Sequence, residues 1–122
     1  MKWKEFKSTI TEGYCRKYTP TIKFTETGLA NINTIFSKDK RVVDKKYYQL
    51  YVSGGRIKKI AIKFTNKKTR NCGRLSVWND HGKRFRFLNK KFADKLNLAG
   101  AQVEFEWDAS EKMFVEKKRQ NK

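Results

Sequence analysis

Histidine occurs once in this chain, proline once and cysteine twice, at Cys15 and Cys72. A zinc site built from Cys and His takes about four ligands, so this supply is too small for one. The two cysteines form no close-spaced motif and read as reduced thiols in a cytoplasmic protein. One proline and seven glycines exclude collagen-like and proline-rich classes. No apolar run approaches the roughly 18–20 residues of a membrane span. The first seven residues interleave lysines with Trp3 and Phe6 and have no uninterrupted apolar core of the kind a secretory signal needs. Acidic residues are also few: 12 Asp and Glu stand against 30 Lys and Arg, a net charge of +18. What the chain does have is aromatic rings, 14 % of its residues. Disordered basic tails lack such side chains, so 122 residues of this composition describe one folded domain.

The charge is concentrated. Residues 1–53 hold 11 basic and five acidic side chains, residues 54–95 hold 14 and two, and residues 96–122 hold five of each. Net charges are therefore +6, +12 and zero. A fold does not need such an excess, and self-repulsion makes it costly. The usual compensation is a polyanion, because phosphate contacts release condensed counterions and so drive binding. An anionic membrane fits less well, since the basic residues lie on strand-like segments and turns instead of one amphipathic helix.

Periodicity predicts the elements. Trp3, Phe6 and Ile10 share a helical face over residues 1–12, with Gly13 as a stop and residues 14–20 as a connector ending in Pro20. Strand-like alternation follows at Thr21–Thr25 and, less clearly, at Leu29–Asn33. Asn33 or Thr34 caps a helix to about Val43, with Phe36, Lys40 and Val43 on one face. Tyr48, Leu50 and Val52 alternate up to the hairpin signal Ser53-Gly54-Gly55, and Ile60, Ile62 and Phe64 alternate on the return. After the basic loop Thr65–Cys72 comes a strand over Arg74–Trp78, the turn Asn79–Gly82 and the alternation Arg84-Phe85-Arg86-Phe87. Asn89 caps a helix through Asn97. Val103, Phe105 and Trp107 alternate with Glu104, Glu106 and Asp108, and Met113–Val115 is a last short strand.

Laid end to end, this gives a helix and then ββαββ twice. The two halves overlay with shifts of 54 at Thr27-Gly28 and His81-Gly82, 56 at Phe36 and Phe92, and 55 at Tyr48 and Val103. The expected fold class is α+β: an antiparallel sheet built from a duplicated ββαββ unit, preceded by a short N-terminal helix. The domain spans 21–116, with repeats at about 21–64 and 72–116, an N-terminal helix and connector over 1–20, and a polar tail from 117 to 122.

As a tandem ββαββ over residues 21–116, the layout resembles the double-wing DNA-binding domain of MotA-type phage transcription factors. It is more loosely similar to the small basic fold of AbrB-type regulators. Read from the middle, Tyr47 to Leu96 is ββββα and resembles the PUR- and Whirly-type single-strand-binding units, above all in Gly82-Lys83-Arg84-Phe85-Arg86-Phe87 leading into a helix. The first resemblance implies a duplex-DNA-binding transcription regulator in a prokaryotic or phage-infected cytoplasm. The second implies a binder of single-stranded DNA or RNA. A further class is a phage-type inhibitor that occupies a host nucleic-acid-handling protein.

The candidate binding residues follow from this. Arg84 and Arg86 project from one strand face about 7 Å apart. Lys59 and Lys63 share an outward face, and Arg56 and Lys58 sit on the hairpin. Lys67, Lys68 and Arg70 lie in a loop able to reach a groove as a wing. Lys90 and Lys91 begin the second helix. Lysines supply phosphate attraction, and arginines add bidentate contacts to base edges. Trp78, beside Arg74 and Lys83, is the candidate for stacking on a base, while Tyr47, Tyr48, Tyr51 and Trp107 are expected as core or sheet residues. Catalysis and cofactors are not expected. Asp80-His81 reads as a turn. Glu104, Glu106 and Asp108 read as solvent-facing partners of lysines and not as ligands of a divalent cation.

Overall fold

A computed structural model describes residues 19–77 and 84–120. The predicted helix over 1–12 lies outside the described residues. Within them the chain forms strands β1 (Thr21–Phe24), β2 (Leu29–Ile32), β3 (Tyr47–Val52), β4 (Ile60–Thr65), β5 (Gly73–Arg74), β6 (Ser76–Val77), β7 (Phe85–Leu88), β8 (Gln102–Asp108) and β9 (Met113–Gln120). Two short helices, α1 (Thr34–Ser37) and α2 (Lys90–Lys95), follow β2 and β7.

The expected α+β class is corrected by this arrangement. Strands make up 45 % of the described residues and helices 10 %, and the strands form one antiparallel sheet that is nearly closed. Its order is β5-β3-β4-β9-β8-β1-β2-β7-β6. The two ends, β5 and β6, are the same stretch of chain, interrupted only at Leu75, whose N–H donates to the Lys46 carbonyl at 2.9 Å. Gly73 and Arg74 pair with β3, and Ser76 and Val77 pair with β7. One segment therefore bridges both edges and leaves little sheet edge unpaired, which is how barrels solve the edge problem. The pairings keep their pattern when β1, β2, β3 and β4 are exchanged with the β5/β6 segment, β7, β8 and β9.

Alternation sorts the side chains. Ile22, Phe24, Ala30, Ile32, Tyr48, Ile60, Ile62, Phe64, Leu75, Phe85, Phe87, Val103, Phe105 and Phe114 are buried and form one cluster. Phe36 of α1 enters that cluster, with ring centroids 4.7 Å from Phe114, 5.4 Å from Phe64 and 5.6 Å from Phe105.

The first helix ends at Ser37 and does not continue to Val43 as its spacing suggests. Asp39 accounts for the stop. Its side-chain Oδ1 accepts from Arg41 N–H at 2.8 Å, and its carbonyl accepts from Val42 and Val43, so the chain starts a new turn in which Val42 and not Val43 is buried. Both caps are asparagines, Asn89 as expected and Asn33 of the two residues expected at the first helix. Asn33 accepts from Phe36 N–H and Asn89 from Phe92 N–H, each at 3.1 Å. Asn33 also accepts from Thr21 N–H and donates to the Thr19 carbonyl, which ties the helix to the start of β1.

Closure depends on a glycine. A Cβ built on Gly73 would overlap the ring of Tyr48 on the facing strand. That ring stacks on Phe87 with centroids 3.9 Å apart. Burial pushes the Tyr48 hydroxyl above its ordinary pKa; the hydrogen bond with Asn89 works against this, and Cys72 adds to it. Gly73→Ala should cost about 1–3 kcal/mol by overpacking, or more. Urea midpoints would check this, with Tyr48→Leu as partner. Relief of the penalty in the double variant would show coupling through the ring, and a fully stable Gly73→Ala would show that the close approach is not needed for closure.

Candidate nucleic-acid interface

The inward residues of β3 are Tyr48 and Leu50, so Tyr47, Gln49 and Tyr51 face outward. Tyr51 is 41 % exposed and Tyr47 half-buried. The tyrosines are four residues apart, about 13 Å along a strand. Gln49 between them is held at both ends of its amide. Its Oε1 accepts from the Tyr51 hydroxyl at 3.0 Å, and its Nε2 donates to Thr69 Oγ1 at 2.6 Å. The second bond lays the 66–72 loop against the outer wall. Cys72 secures that loop, its Sγ donating to the Thr69 carbonyl at 3.0 Å and accepting from Thr69 N–H at 3.2 Å.

Cations lie on both sides of this row. On β4, Lys63 is opposite Gln49 and exposed, and Lys59, just before the strand, is exposed as well. On β5, exposed Arg74 is opposite Tyr47. One strand further, Arg86 of β7 is opposite Ser76 and Asn31, outward and partly exposed, with Arg84 preceding it. Residues 45–77 contain ten basic and no acidic side chains. The ion pairs Arg41–Asp39, Lys45–Asp44 and Arg119–Glu116 involve none of Arg56, Lys58, Lys59, Lys63, Lys67, Lys68, Arg70, Arg74 and Arg86. The outer face of β4, β3, β5/β6 and β7 is thus one cationic wall with tyrosines in it. The opposite side differs: outward Glu104 and Glu106 put negative charge on β8.

The candidate residues do not converge on one point. Arg56, Lys58 and Lys59 lie at the end of the barrel where β3 runs into β4, and all are exposed. Lys67, Lys68 and Arg70 lie on the loop that leaves the other end of β4 and turns back over the outer face of β3, where Thr69 meets Gln49. Lys90 and Lys91 sit on the first turn of α2, which follows β7, two strands round the closed sheet from β3, at the end shared with Arg56. Trp78 and Lys83 lie outside the described residues, as do Asp80 and His81. Trp107 is a partly buried core residue, 5.0 Å from Phe114 and 4.4 Å beneath the Arg41 guanidinium.

Tyr47 and Tyr51 lie on the sheet, as expected, and on its outer face, which makes them candidates for binding that the sequence did not single out. The signal was present, because placing Tyr48, Leu50 and Val52 on one face puts Tyr47, Gln49 and Tyr51 on the other. Asp108 accepts from Ser110 and Glu111 N–H at 2.9 and 3.1 Å, so its carboxylate shapes the β8–β9 turn. Among the described residues, no group of three or more His, Cys, Asp or Glu is placed to hold a metal ion, and no helix is long and apolar enough to cross a membrane.

Comparison of the chain with protein-family models, with curated proteins and with solved structures gives no match.

Proposed function

We propose that this protein is a non-catalytic nucleic-acid-binding protein whose ligand is single-stranded DNA or RNA, laid along the outer face of β3 and β4. The observation that supports this reading is the outward row Tyr47–Gln49–Tyr51 between Lys63 and Arg74, on a wall without carboxylates. Phosphate attraction alone would serve any nucleic acid. The tyrosines favour the single strand, because unpaired bases offer faces on which aromatic rings stack, whereas those faces are occupied inside a duplex. The curvature of the sheet points the same way. A convex barrel wall touches a rigid double helix along a narrow line, while a flexible strand bends around it.

Duplex DNA, implied by the MotA-type layout, is the competing ligand, and Lys67, Lys68 and Arg70 would be its loop-borne grip. Matched labelled single-stranded and duplex oligonucleotides, titrated across a salt series, decide between them. The expected result is tighter binding to the single strand, with a log–log salt slope near −3, from about four phosphates at roughly −0.7 each. Preference for the duplex would replace this reading with the regulator. No binding to either ligand at low salt would remove both and direct attention to a protein target.

A further inference from the structure

The β3–β4 loop, Ser53 to Lys59, carries the most exposed large apolar side chain among the described residues. Ile57 is 82 % exposed, against 67 % for Leu88, the next. Its neighbours are Arg56, Lys58 and Lys59, and every residue from Tyr51 to Lys59 is exposed. The tip is apolar, its flanks are cationic, and no carboxylate lies nearby in sequence. The base of the loop is fastened. Ser53 N–H donates to the Lys59 carbonyl, and Lys59 N–H donates to Ser53 Oγ, both at 2.8 Å. Arg119 Nη2 donates to the Lys58 carbonyl at 3.2 Å, and Ile60 N–H donates to Glu116 Oε1 at 2.9 Å. Ile57 is therefore displayed on a tip whose two arms are bonded to each other and whose returning arm is held to β9.

We infer that this loop is a wedge, with Ile57 inserting at the junction between a duplex and a single strand and unstacking the terminal base pair. The inference rests on the single-strand reading. Apolar side chains carried between cationic ones are suited to this work, since an isoleucine pressed into a base step replaces stacking while lysine and arginine hold the flanking phosphates. The position fits. A strand parted at the tip would pass along β3, meeting Tyr51 first, then the cationic 66–72 loop held on Gln49 by Thr69, and Tyr47 about 13 Å from Tyr51, with Lys63 and Arg74 on either side. The wedge and the row of tyrosines then act in sequence, one opening the end of the helix and the other receiving the released strand.

The test uses the full chain with three ligands: a single strand, a blunt duplex, and a duplex bearing that strand as a tail. 2-Aminopurine replaces the base at the terminal pair beside the tail. The expected result is tighter binding to the tailed duplex than to the tail alone, by about tenfold, with a rise in 2-aminopurine fluorescence as that base unstacks. Ile57→Ser should abolish both the preference and the fluorescence rise and leave affinity for the single strand within about twofold, and Ile57→Leu should restore both. With the side chain almost wholly exposed, neither substitution touches the core. An Ile57→Ser variant that keeps the junction preference and the fluorescence rise would overturn the wedge while leaving single-strand binding intact. Failure of the wild-type chain to bind the tail strand would overturn both.

Discussion

Replacing Tyr47 and Tyr51 together with alanine will weaken binding to a single-stranded oligonucleotide by roughly 30-fold or more. Base–aromatic stacking contributes about 1–3 kcal/mol per base by alanine substitution, and 1.4 kcal/mol is tenfold in affinity. Phenylalanine at both positions keeps the rings and should retain most of the affinity, although it removes the hydrogen bond from Tyr51 to Gln49. The cations should behave differently. Lys63→Ala or Arg74→Ala removes a phosphate contact, so each should weaken binding to all sequences alike and flatten the salt slope by about one contact's share. Fluorescence anisotropy at two salt concentrations separates the two patterns. If the double alanine variant binds as tightly as the wild type while the cation variants weaken, the tyrosines do not stack and binding is purely electrostatic.

The second large effect is on stability. Glu116 of β9 points inward, is 8 % exposed, and forms a bidentate pair with Arg119, at 2.7 Å to Nη2 and 3.0 Å to Nε. Its Oε1 also accepts from the Ile60 N–H. β9 pairs with β8 through an irregularity between Glu104 and Phe105: Glu104 is opposite Lys118 and Phe105 is opposite Glu116. Lys117 is thus left without a partner on β8, and the bulge brings Arg119 back over Glu116. Glu116→Ala would leave a guanidinium and a backbone N–H without this acceptor at the seam between β4 and β9. Because Arg119 keeps 21 % of its side chain exposed, the loss should be about 2–3 kcal/mol, below the roughly 3–5 kcal/mol of a fully buried pair and still a large fraction of the roughly 5–15 kcal/mol that holds a domain folded. Glu116→Gln retains an acceptor for Ile60 and should lose less. Urea denaturation of the two variants measures the difference. A loss below about 1 kcal/mol for Glu116→Ala would mean that the pair behaves as an exposed one. The same group supports the β3–β4 loop, since Arg119 also donates to Lys58.

Much of the wall was legible in the sequence, because strand periodicity is a local property. Phe85 and Phe87 point inward and Arg84 and Arg86 outward simply because adjacent residues on a strand face opposite ways. Both asparagine caps were legible for a similar reason, since a cap is a contact over three residues. Helix length was less so. The spacing of Phe36, Lys40 and Val43 fits a helix, yet Asp39 redirects the backbone by accepting hydrogen bonds from three residues that follow it.

Closure of the sheet was not legible at all. It depends on the five residues from Gly73 to Val77 pairing with β3 on one side and β7 on the other, and nothing local in those residues distinguishes a strand that ends a sheet from one that joins its two edges. The same closure bears on the site. Alternation along β3 already gives Tyr48 the opposite sense to Tyr47 and Tyr51; what closure adds is the close approach of Gly73 to the Tyr48 ring and the stack of that ring on Phe87. The sequence by itself determined the charge, its concentration between residues 54 and 95, and the inward or outward sense of the regular strands, all of which follow from composition and a period of two. Only the pairing of β3 with β4 on one side and with the β5/β6 segment on the other brought Lys63 and Arg74 to the two flanks of the outward tyrosines. Distances across a barrel are set by which strands pair, and pairing is a property of the whole chain.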